Sequence, residues 1–193
     1  MGHSQEAKAE SHERVLRIAA RRIREEGLTR PGVAELMNEA GLTHGGFYKH
    51  FASRDDLINQ AAALALADGK SKMAEAARRN REEPRTELID SYLSARHRDT
   101  PGAGCAVVTL GAAAGRGEAE MKEAYEKQVR GYLELISETA DGDDTDEVQA
   151  DAMLTLSAMV GALLMSRAVA DPELSDQLLQ TVAARLKRPP VKA

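Results

Sequence analysis

The segment GLTHGGFYKHF, at residues 41–51, most restricts how this chain can fold. Two adjacent glycines are costly in a helix interior, where each loses about 1 kcal/mol relative to alanine. Gly41 can end a preceding helix, and Thr43 can cap the start of a new one. Gly45 and Gly46 then fall in the first turn of the new helix, where their missing side chains allow a partner to approach the backbone closely.

The residues before this segment predict one long helix and one short helix. Ser11 can cap a helix at 11–26, and Gly27 stands where a C′ glycine ends a helix. The sequence LTRPG at 28–32 is a turn whose proline favours the start of a second helix, which we expect at 33–40. A fourth helix then begins after the third one, at the capped sequence SRDD.

Residues 43–51 predict a third helix with one buried side and one exposed side. Phe47 and Phe51 are four residues apart, so both can face the interior. The other side offers free amides, a hydroxyl and a cation, which suit contacts with phosphates or base edges. It carries His44, Gly45, Tyr48 and Lys49. This order of helices and turns is that of a helix-turn-helix, whose last helix enters the major groove of DNA.

The composition favours an all-α protein. The chain has 193 residues, is rich in alanine, leucine, glutamate and arginine, and has no tryptophan and few β-branched or aromatic runs. Its single cysteine excludes an intrachain disulfide, and no signal-peptide pattern opens the sequence. Because no apolar stretch reaches the roughly 18 to 20 residues of a membrane span, we expect a cytoplasmic protein without a membrane partner.

Charge is distributed unevenly along the chain. Residues 1–60 contain nine Lys and Arg against nine Asp and Glu, whereas residues 61–193 carry the whole net charge of −5. A neutral N-terminal part that also holds four of the five histidines is compatible with a local nucleic-acid contact. One helical face there is either solvated and paired with nearby glutamates or laid along a phosphate backbone. It carries Arg14, Arg17, Arg21 and Arg24.

The sequence GLTHGGFYKHFASRDDLI resembles the signature of TetR-family transcriptional regulators, and the resemblance covers about residues 11–60. It implies an all-α protein with an N-terminal three-helix helix-turn-helix DNA-binding domain at 1–52, here called the head. A C-terminal helical ligand-binding and dimerisation domain, here called the body, is expected at 53–193. We expect a transcriptional regulator without enzyme activity or cofactor. It would be a repressor that binds a palindromic operator as a homodimer and is released by a small-molecule effector.

The resemblance also implies which residues contact DNA. Thr43 resembles the cap residue that touches phosphate, and Tyr48 and His50 match phosphate-contacting positions. At the start of the second helix the family often has a hydroxyl residue, and here the Gly32 amide or the Arg30 side chain would have to replace it. The predicted DNA-binding set is Arg30, Gly32, Thr43, His44, Gly45, Gly46, Tyr48, Lys49 and His50.

Further helices are expected throughout the body, at 53–67, 70–81, 85–97, 105–114, 118–139, 144–170 and 171–186. The last two are strongly apolar and therefore need a partner surface. They pack either in the core of one chain or, as the resemblance implies, across a two-fold axis as a four-helix bundle. The predicted dimer interface consists of Leu156, Val160, Leu163, Leu164, Leu174, Leu178 and Val182.

Other chemical motifs are weak. The acidic sequence DGDDTDE at 141–147 lacks the glycine and the ligand spacing of an EF-hand, and GAGC at 102–105 is not a dinucleotide fingerprint. His44 and His50 lack a metal-binding spacing, so no metal is predicted. Candidate residues for an effector pocket are Tyr92, Cys105, Tyr125 and Met159, although an ordinary place in the helical core is the better interpretation of each one alone.

Cys105 supports an alternative function. It stands at the predicted start of a helix, where the dipole can lower the pKa of a thiol. A regulator that senses oxidants or electrophiles through Cys105 is therefore an alternative, against the plainer interpretation of a small buried residue. An all-α enzyme or a protein-interaction module is a further alternative, but no spacing supplies a convergent acid, base or nucleophile.

Overall fold

The computed structural model describes residues 2–28, 32–140 and 145–187, with side chains from residue 5 onward. Within these ranges the chain is helical and contains no strand. The helices are α1 (Gly2–Glu26), α2 (Val33–Glu39), α3 (Arg54–Arg79), α4 (Pro84–Tyr92), α5 (Ala95–Asp99), α6 (Ala106–Arg116), α7 (Ala119–Ser137), α8 (Thr145–Ala168) and α9 (Pro172–Leu186). Two short 3₁₀ helices lie at His44–Lys49 and Pro101–Ala103.

The N-terminal helices follow the predicted order, with two differences. Gly27 and Gly41 adopt φ values of +81° and +71°, the left-handed conformation expected of glycines that end helices. Helix α1 begins at Gly2 instead of residue 11, because residues 5–10 are mostly good helix formers such as alanine, glutamate and lysine. The third helix is a six-residue 3₁₀ helix and not an α-helix. It is therefore too short for a helix-dipole argument to have much force.

The packing of α1 along α3 positions the head. Val15, Ala19 and Ile23 on α1 are fully buried, and so are Leu57 and Ala61 on α3. Small side chains on α3 let the two helices approach closely. The head core continues through Phe47 and Phe51, whose rings stack 5.6 Å apart, and His12 of α1 stacks on Phe51 at 4.6 Å.

Helix α3 is continuous across residues 68–70, where two separate helices were expected. The physical reason is a long-range contact at Gly69. A Cβ atom at this position would lie 1.9 Å from the hydroxyl oxygen of Tyr132 on α7, which is itself buried. The glycine therefore admits the Tyr132 hydroxyl against the α3 backbone, and it does not break the helix.

Helix α4 ends at Tyr92, and the short helix α5 follows it, where one helix at 85–97 was expected. Ser94 causes the break by starting a new helix, since its hydroxyl accepts a hydrogen bond from the His97 amide at 3.1 Å. The remaining body helices begin and end within a few residues of their predicted bounds.

Helix α8 has an apolar inner face and an apolar outer face. Leu156, Met159 and Leu163 are buried inside the chain, whereas Leu154 and Leu164 are 65% and 51% exposed. Contrary to expectation, α8 is long and apolar enough to cross a membrane, with a mean hydropathy of 1.5 over its best window. The core helix of a soluble protein passes the same test, so one such helix is weak evidence for a membrane span.

We expect Gly69→Ala to destabilise the protein even though alanine is the better helix former. The buried Tyr132 would have to shift away from the new methyl group, and overpacking of this kind costs about 1–3 kcal/mol. The matched control is Gly115→Ala on α6, where an added Cβ meets nothing within 4 Å and should stabilise by about 0.5–1 kcal/mol. Urea unfolding of both variants measures the difference, and equal stabilisation by the two alanines would contradict the assigned role of Gly69.

Candidate nucleic-acid interface and internal cavity

The 3₁₀ helix His44–Lys49 has one buried side and one exposed side. Phe47 and Phe51 are 3% and 2% exposed, which agrees with their predicted inward orientation. Tyr48 is 76% exposed and is the most exposed large apolar side chain among the described residues. His44, Gly45 and Lys49 are exposed as well. The head therefore presents a hydroxyl, a cation, an imidazole and bare backbone together.

Nothing in the described part of the chain requires a glycine at position 45. An added Cβ at Gly45 would meet no atom within 4 Å, and the residue does not adopt a positive φ. At Gly46 an added Cβ would make ordinary contacts, 3.6 Å from Thr43 Oγ1 and 3.8 Å from Met37 Cε. Neither the backbone nor the packing of this chain therefore explains the two glycines.

Thr43 stands at the N-cap of the 3₁₀ helix, but its side chain makes no capping hydrogen bond. Its carbonyl oxygen accepts a hydrogen bond from the Gly46 amide at 2.9 Å. Residue 43 is exposed, so its hydroxyl is available to a partner outside the chain. Thr43 is therefore the N-cap residue, as predicted, although its side chain does not donate or accept a capping hydrogen bond.

The other predicted DNA-contacting residues differ in exposure. His50 is half-buried, and its Nδ1 has no hydrogen-bond partner in the part of the chain that the structure describes. Burial lowers the pKa of His50, and the neighbouring His12 and Lys8 lower it further. Gly32 is the N-cap of α2 and is half-buried, whereas Arg30 lies outside the described residues.

The arginine stripe of α1 is paired within the head. Arg17 forms an ion pair with Glu13 at 3.6 Å, and Arg21 bonds to Glu25 and to Glu39 of α2. Arg14 Nε donates a hydrogen bond to the carbonyl of Ala40 at the end of α2, at 3.1 Å. The solvated and paired interpretation of the stripe therefore fits these residues better than the phosphate interpretation. Arg24 is different, because it is buried.

A cavity of about 520 Å³ lies among α3, α4, α5, α7 and the residues before α6. Tyr92, Cys105 and Tyr132 are buried on its wall, and the sulfur of Cys105 lies 3.3 Å from the Tyr132 hydroxyl oxygen. The Tyr92 hydroxyl has no hydrogen-bond partner among the described residues. Burial is the main cause that raises the pKa of Tyr92 and of Tyr132. Met73, Ala76 and Leu88 add buried apolar wall, and exposed charged residues such as Lys72, Glu75 and Arg79 surround the opening.

His97 organises the cavity wall through both ring nitrogens. Its Nδ1 lies 2.7 Å from the carbonyl oxygen of Tyr92, and its Nε2 accepts a hydrogen bond from the Cys105 amide at 2.9 Å. These two bonds together require the neutral ring with its proton on Nδ1. Burial lowers the pKa of His97 to about 4, and the nearby Arg167 and Lys72 contribute in the same direction.

Solved structures share this fold over nearly the whole chain. A TetR-family regulator from Chloroflexus aurantiacus J-10-FL is 18% identical, with a TM-score of 0.77 over 95% of this chain and 97% of that one. A TetR-family regulator from Cytophaga hutchinsonii is 16% identical, with a TM-score of 0.76 over 93% and 94%. The reduced form of E. coli NemR is 20% identical, with a TM-score of 0.74 over 92% and 95%. No curated protein matches the sequence.

Residues 15–61 match the model of a sequence family described as bacterial regulatory proteins, tetR family. The matched residues include the 3₁₀ helix with its exposed Tyr48 and the first turns of α3. The chain thus has an N-terminal domain of the TetR family, within a fold that it shares with solved TetR-family regulators. Its family and fold are those of a DNA-binding protein and not of an enzyme.

In this TetR-family chain, the predicted pocket residues occupy different surroundings. Tyr92 and Cys105 line the cavity, but Tyr125 and Met159 do not. Tyr125 is half-buried and donates a hydrogen bond to the Val107 carbonyl at 3.3 Å, and Met159 is fully buried in the core. Sequence reasoning missed Tyr132 and His97. The glycine at residue 69 was a signal of a close contact, but the sequence did not show which residue makes it.

The seven predicted interface residues of the TetR-family chain also divide by exposure. Leu164 and Leu174 are exposed, and Val160, Leu178 and Val182 are half-buried. Leu156 and Leu163 are buried within the single chain and leave no surface for a partner, so their inclusion in the interface is corrected. The α8 surface carries other exposed apolar residues that the prediction omitted, namely Met153, Leu154 and Met165.

We expect the stability of the protein to fall as the pH is lowered from 6.5 towards 4, in part because of His97. The folded-state pKa of about 4 lies below the ordinary value of 6.5, so the unfolded chain binds the proton first and stability is lost through this window. A tenfold difference in proton affinity between the folded and unfolded chains corresponds to roughly 1.4 kcal/mol. Thermal unfolding of His97→Leu should show a weaker pH dependence than the parent, with His44→Gln on the exposed side of the head as control. An unchanged pH dependence in His97→Leu would contradict this assignment.

Proposed function

We propose that this TetR-family regulator is a cytoplasmic repressor. In this proposal it binds a palindromic operator as a homodimer and leaves the operator when a small molecule occupies the cavity. The functional division is a DNA-binding head at 1–52 and a ligand-binding and dimerising body at 53–193. The hydrophobic core runs without interruption from Val15 to Ala183, so this division is one of function and not of packing.

The exposed side of the 3₁₀ helix carries the proposal. It lies inside the family-matched residues 15–61, and it presents Tyr48, Lys49 and His44 beside a glycine that the chain itself does not need. Close approach of a phosphate or a base edge to the bare backbone at Gly45 explains that glycine. The proposed DNA-contacting set remains Arg30, Gly32, Thr43, His44, Gly45, Gly46, Tyr48, Lys49 and His50.

The outer face of α8 and α9 supports a homodimer. An apolar surface that is left exposed on a single chain indicates a site of association. Two-fold symmetry would place two heads on half-sites separated by about one turn of DNA, roughly 34 Å. The proposed interface consists of Met153, Leu154, Val160, Leu164, Met165, Leu174, Leu178 and Val182.

The cavity supports release by a small molecule. Its volume of about 520 Å³ lies within the range of sites for small organic ligands, which is about 300–1,000 Å³. A ligand acts on DNA binding only if it has different affinities for the DNA-bound and free conformations. A ligand in contact with Tyr92, Cys105 and Tyr132 would meet this condition if the cavity wall differs between the two conformations.

The proposal is tested by selecting genomic DNA fragments with the full-length protein and measuring the affinity for the selected duplex by fluorescence anisotropy. We expect tight binding that resists unrelated competitor DNA and weakens linearly with the logarithm of salt concentration. Tyr48→Ala should reduce the affinity. Failure to enrich any duplex, or equal affinity for all duplexes, would contradict the proposal.

We expect Gly45→Ala to separate DNA affinity from stability. The methyl group has free space within the protein, so the free energy of unfolding should be unchanged or slightly higher. The same methyl group would occupy the space that DNA needs and should lower operator affinity by about tenfold, or roughly 1.4 kcal/mol. Gly115→Ala serves as the glycine-to-alanine control that lies far from the head. Unchanged operator affinity in Gly45→Ala would contradict the assigned role of this glycine.

We expect Leu154→Asp and Leu164→Asp to convert the dimer into a monomer. Each change places a carboxylate in an apolar surface that the partner would bury, which is costly without a counter-charge. Sedimentation equilibrium measures the change, with Ala112→Asp at an exposed position of α6 as control. A monomeric parent protein, or variants that remain dimeric, would show that this face is not the interface.

A sensor of oxidants or electrophiles is a second candidate function, because the single thiol of the chain lies on the cavity wall. Cys105 is only 4% exposed and contacts the Tyr132 hydroxyl, so a reagent would have to reach it through the cavity. N-ethylmaleimide should then release the operator from the parent protein and not from Cys105→Ser. Operator release that is identical in both proteins, or absent from both, would exclude this function.

A further inference from the structure

The segment at residues 97–105, which comprises the end of α5 and the loop that leads to α6, forms one wall of the cavity and also touches the head. We call it the connecting segment. Its cavity-lining members are His97, Thr100, Ala103, Gly104 and Cys105. The same segment contains the short 3₁₀ helix Pro101–Ala103, which packs against α1. The segment therefore borders both the cavity and the helix that supports the head.

Arg24 connects the connecting segment to α1 and α3. It lies in the last turn of α1 and is 7% exposed. Its Nε donates a hydrogen bond to the Gly102 carbonyl at 2.6 Å, and its Nη1 contacts the Ala65 carbonyl at 3.4 Å and the Asp68 carboxylate at 3.2 Å. A buried guanidinium that loses a partner is destabilised by several kcal/mol, so these bonds resist separation.

At Gly102 a side chain could be added only if the side chains of α1 shifted. A Cβ atom there would lie 2.2 Å from Glu25 Oε1 and 2.9 Å from Arg21 Cγ, both on α1. A second bond lies nearby, where Thr109 of α6 donates its hydroxyl to the Arg24 carbonyl at 3.0 Å. An outward movement of the connecting segment must therefore either displace the last turn of α1 or break the bond to Arg24.

The connecting segment is also held from the opposite side by α8. Arg167 Nη2 donates a hydrogen bond to the His97 carbonyl at 2.6 Å, and Arg167 Nε donates one to the Arg98 carbonyl at 3.1 Å. Arg98 in turn bonds to Ser175 and Asp176 of α9, at 2.9 Å and 2.5 Å. These bonds hold the connecting segment on the side of α8 and α9. The segment can therefore transmit a displacement towards α1.

We propose that the connecting segment transmits occupancy of the cavity to the head through Arg24. A ligand that displaces the wall at His97 moves Gly102, and Arg24 carries this movement into the last turn of α1. Helix α1 reaches the 3₁₀ helix of the head through the stacking of His12 on Phe51, which in turn stacks on Phe47 of that helix. This mechanism deepens the proposed function, and its biological purpose rests on that function. The mechanical link itself exists in the free protein and can be tested without DNA or effector.

The chain offers a selective reporter for the head. It contains only two phenylalanines, Phe47 and Phe51, and both are buried in the head core. Incorporation of 4-fluorophenylalanine therefore gives ¹⁹F signals from the head alone. The change at the cavity wall is His97→Leu, which removes both ring hydrogen bonds without adding a phenylalanine. Its effect on the two signals is measured in the parent protein and in an Arg24→Met background, where the guanidinium is lost but an apolar stem remains.

The proposal predicts that His97→Leu shifts at least one ¹⁹F signal by more than its linewidth in the parent protein. In the Arg24→Met background the same change should shift that signal by less than half as much. Glu87→Gln, on the cavity lining of α4 and outside the connecting segment, should leave both signals in place. The proposal is overturned if His97→Leu has no effect in the parent, or an equal effect with and without Arg24, or if Glu87→Gln shifts the signals as much.

A second background guards against failure of Arg24→Met to fold. Arg24→Lys keeps the charge beside Asp68, but its single ammonium cannot take the place of the guanidinium that reaches Gly102 and α3 together. The shift caused by His97→Leu should be reduced in this background as well, and an undiminished shift would overturn the proposal. Loss of operator binding in the selection experiment would instead refute the proposed function and leave this result unaffected.

Discussion

The packing of α1 along α3 is the interaction on which the rest of the structure depends. Val15, Ala19 and Ile23 have no exposed surface, and burial of a valine or isoleucine side chain stabilises a protein by roughly 1.5–3 kcal/mol. Helix α3 has 26 residues, which corresponds to a length of about 39 Å. Its first turns lie under the head, and its later turns provide Gly69 and Met73 to the cavity. One helix therefore supports both the proposed DNA-contacting surface and the proposed ligand site.

Glycines mark three different physical requirements in this chain. Gly27 and Gly41 provide left-handed backbone where α1 and α2 end. Gly69 and Gly102 lie where a Cβ atom would collide with side chains from another helix. Gly45 meets neither requirement among the described residues, and it lies in the segment that we propose to contact DNA. The surroundings of each glycine, more than the number of glycines, therefore distinguish a glycine with a proposed functional role from a structural one.

Local patterns in the sequence predicted most helices because caps, C′ glycines and apolar periodicity act over a few residues. They failed where a long-range contact decides the structure. The expected break near Lys70 is absent because Tyr132, far along the chain, fills the space above Gly69. For the same reason, periodicity placed Arg24 on a face expected to meet either solvent or a phosphate backbone, although its partners lie at Ala65, Asp68 and Gly102. Similarly, an apolar pattern on both sides of α8 cannot show which side faces the core.

The exposed side of the 3₁₀ helix could be identified from the sequence because two buried phenylalanines fix its orientation. The cavity could be identified only in part, since its wall combines residues from α3, α4, α7 and the connecting segment. The buried surroundings of His97 and Tyr132 arise from that combination and leave no local pattern in the sequence.

The central claim, that the exposed side of the 3₁₀ helix is the surface that meets DNA, is tested most directly by amide hydrogen exchange. Exchange of the full-length protein would be compared in the presence of the selected operator duplex and of an unrelated duplex of equal length. The account predicts operator-specific protection of residues 43–50, with little change on the outer face of α8. Protection confined to the body, with residues 43–50 exchanging equally in both samples, would contradict it.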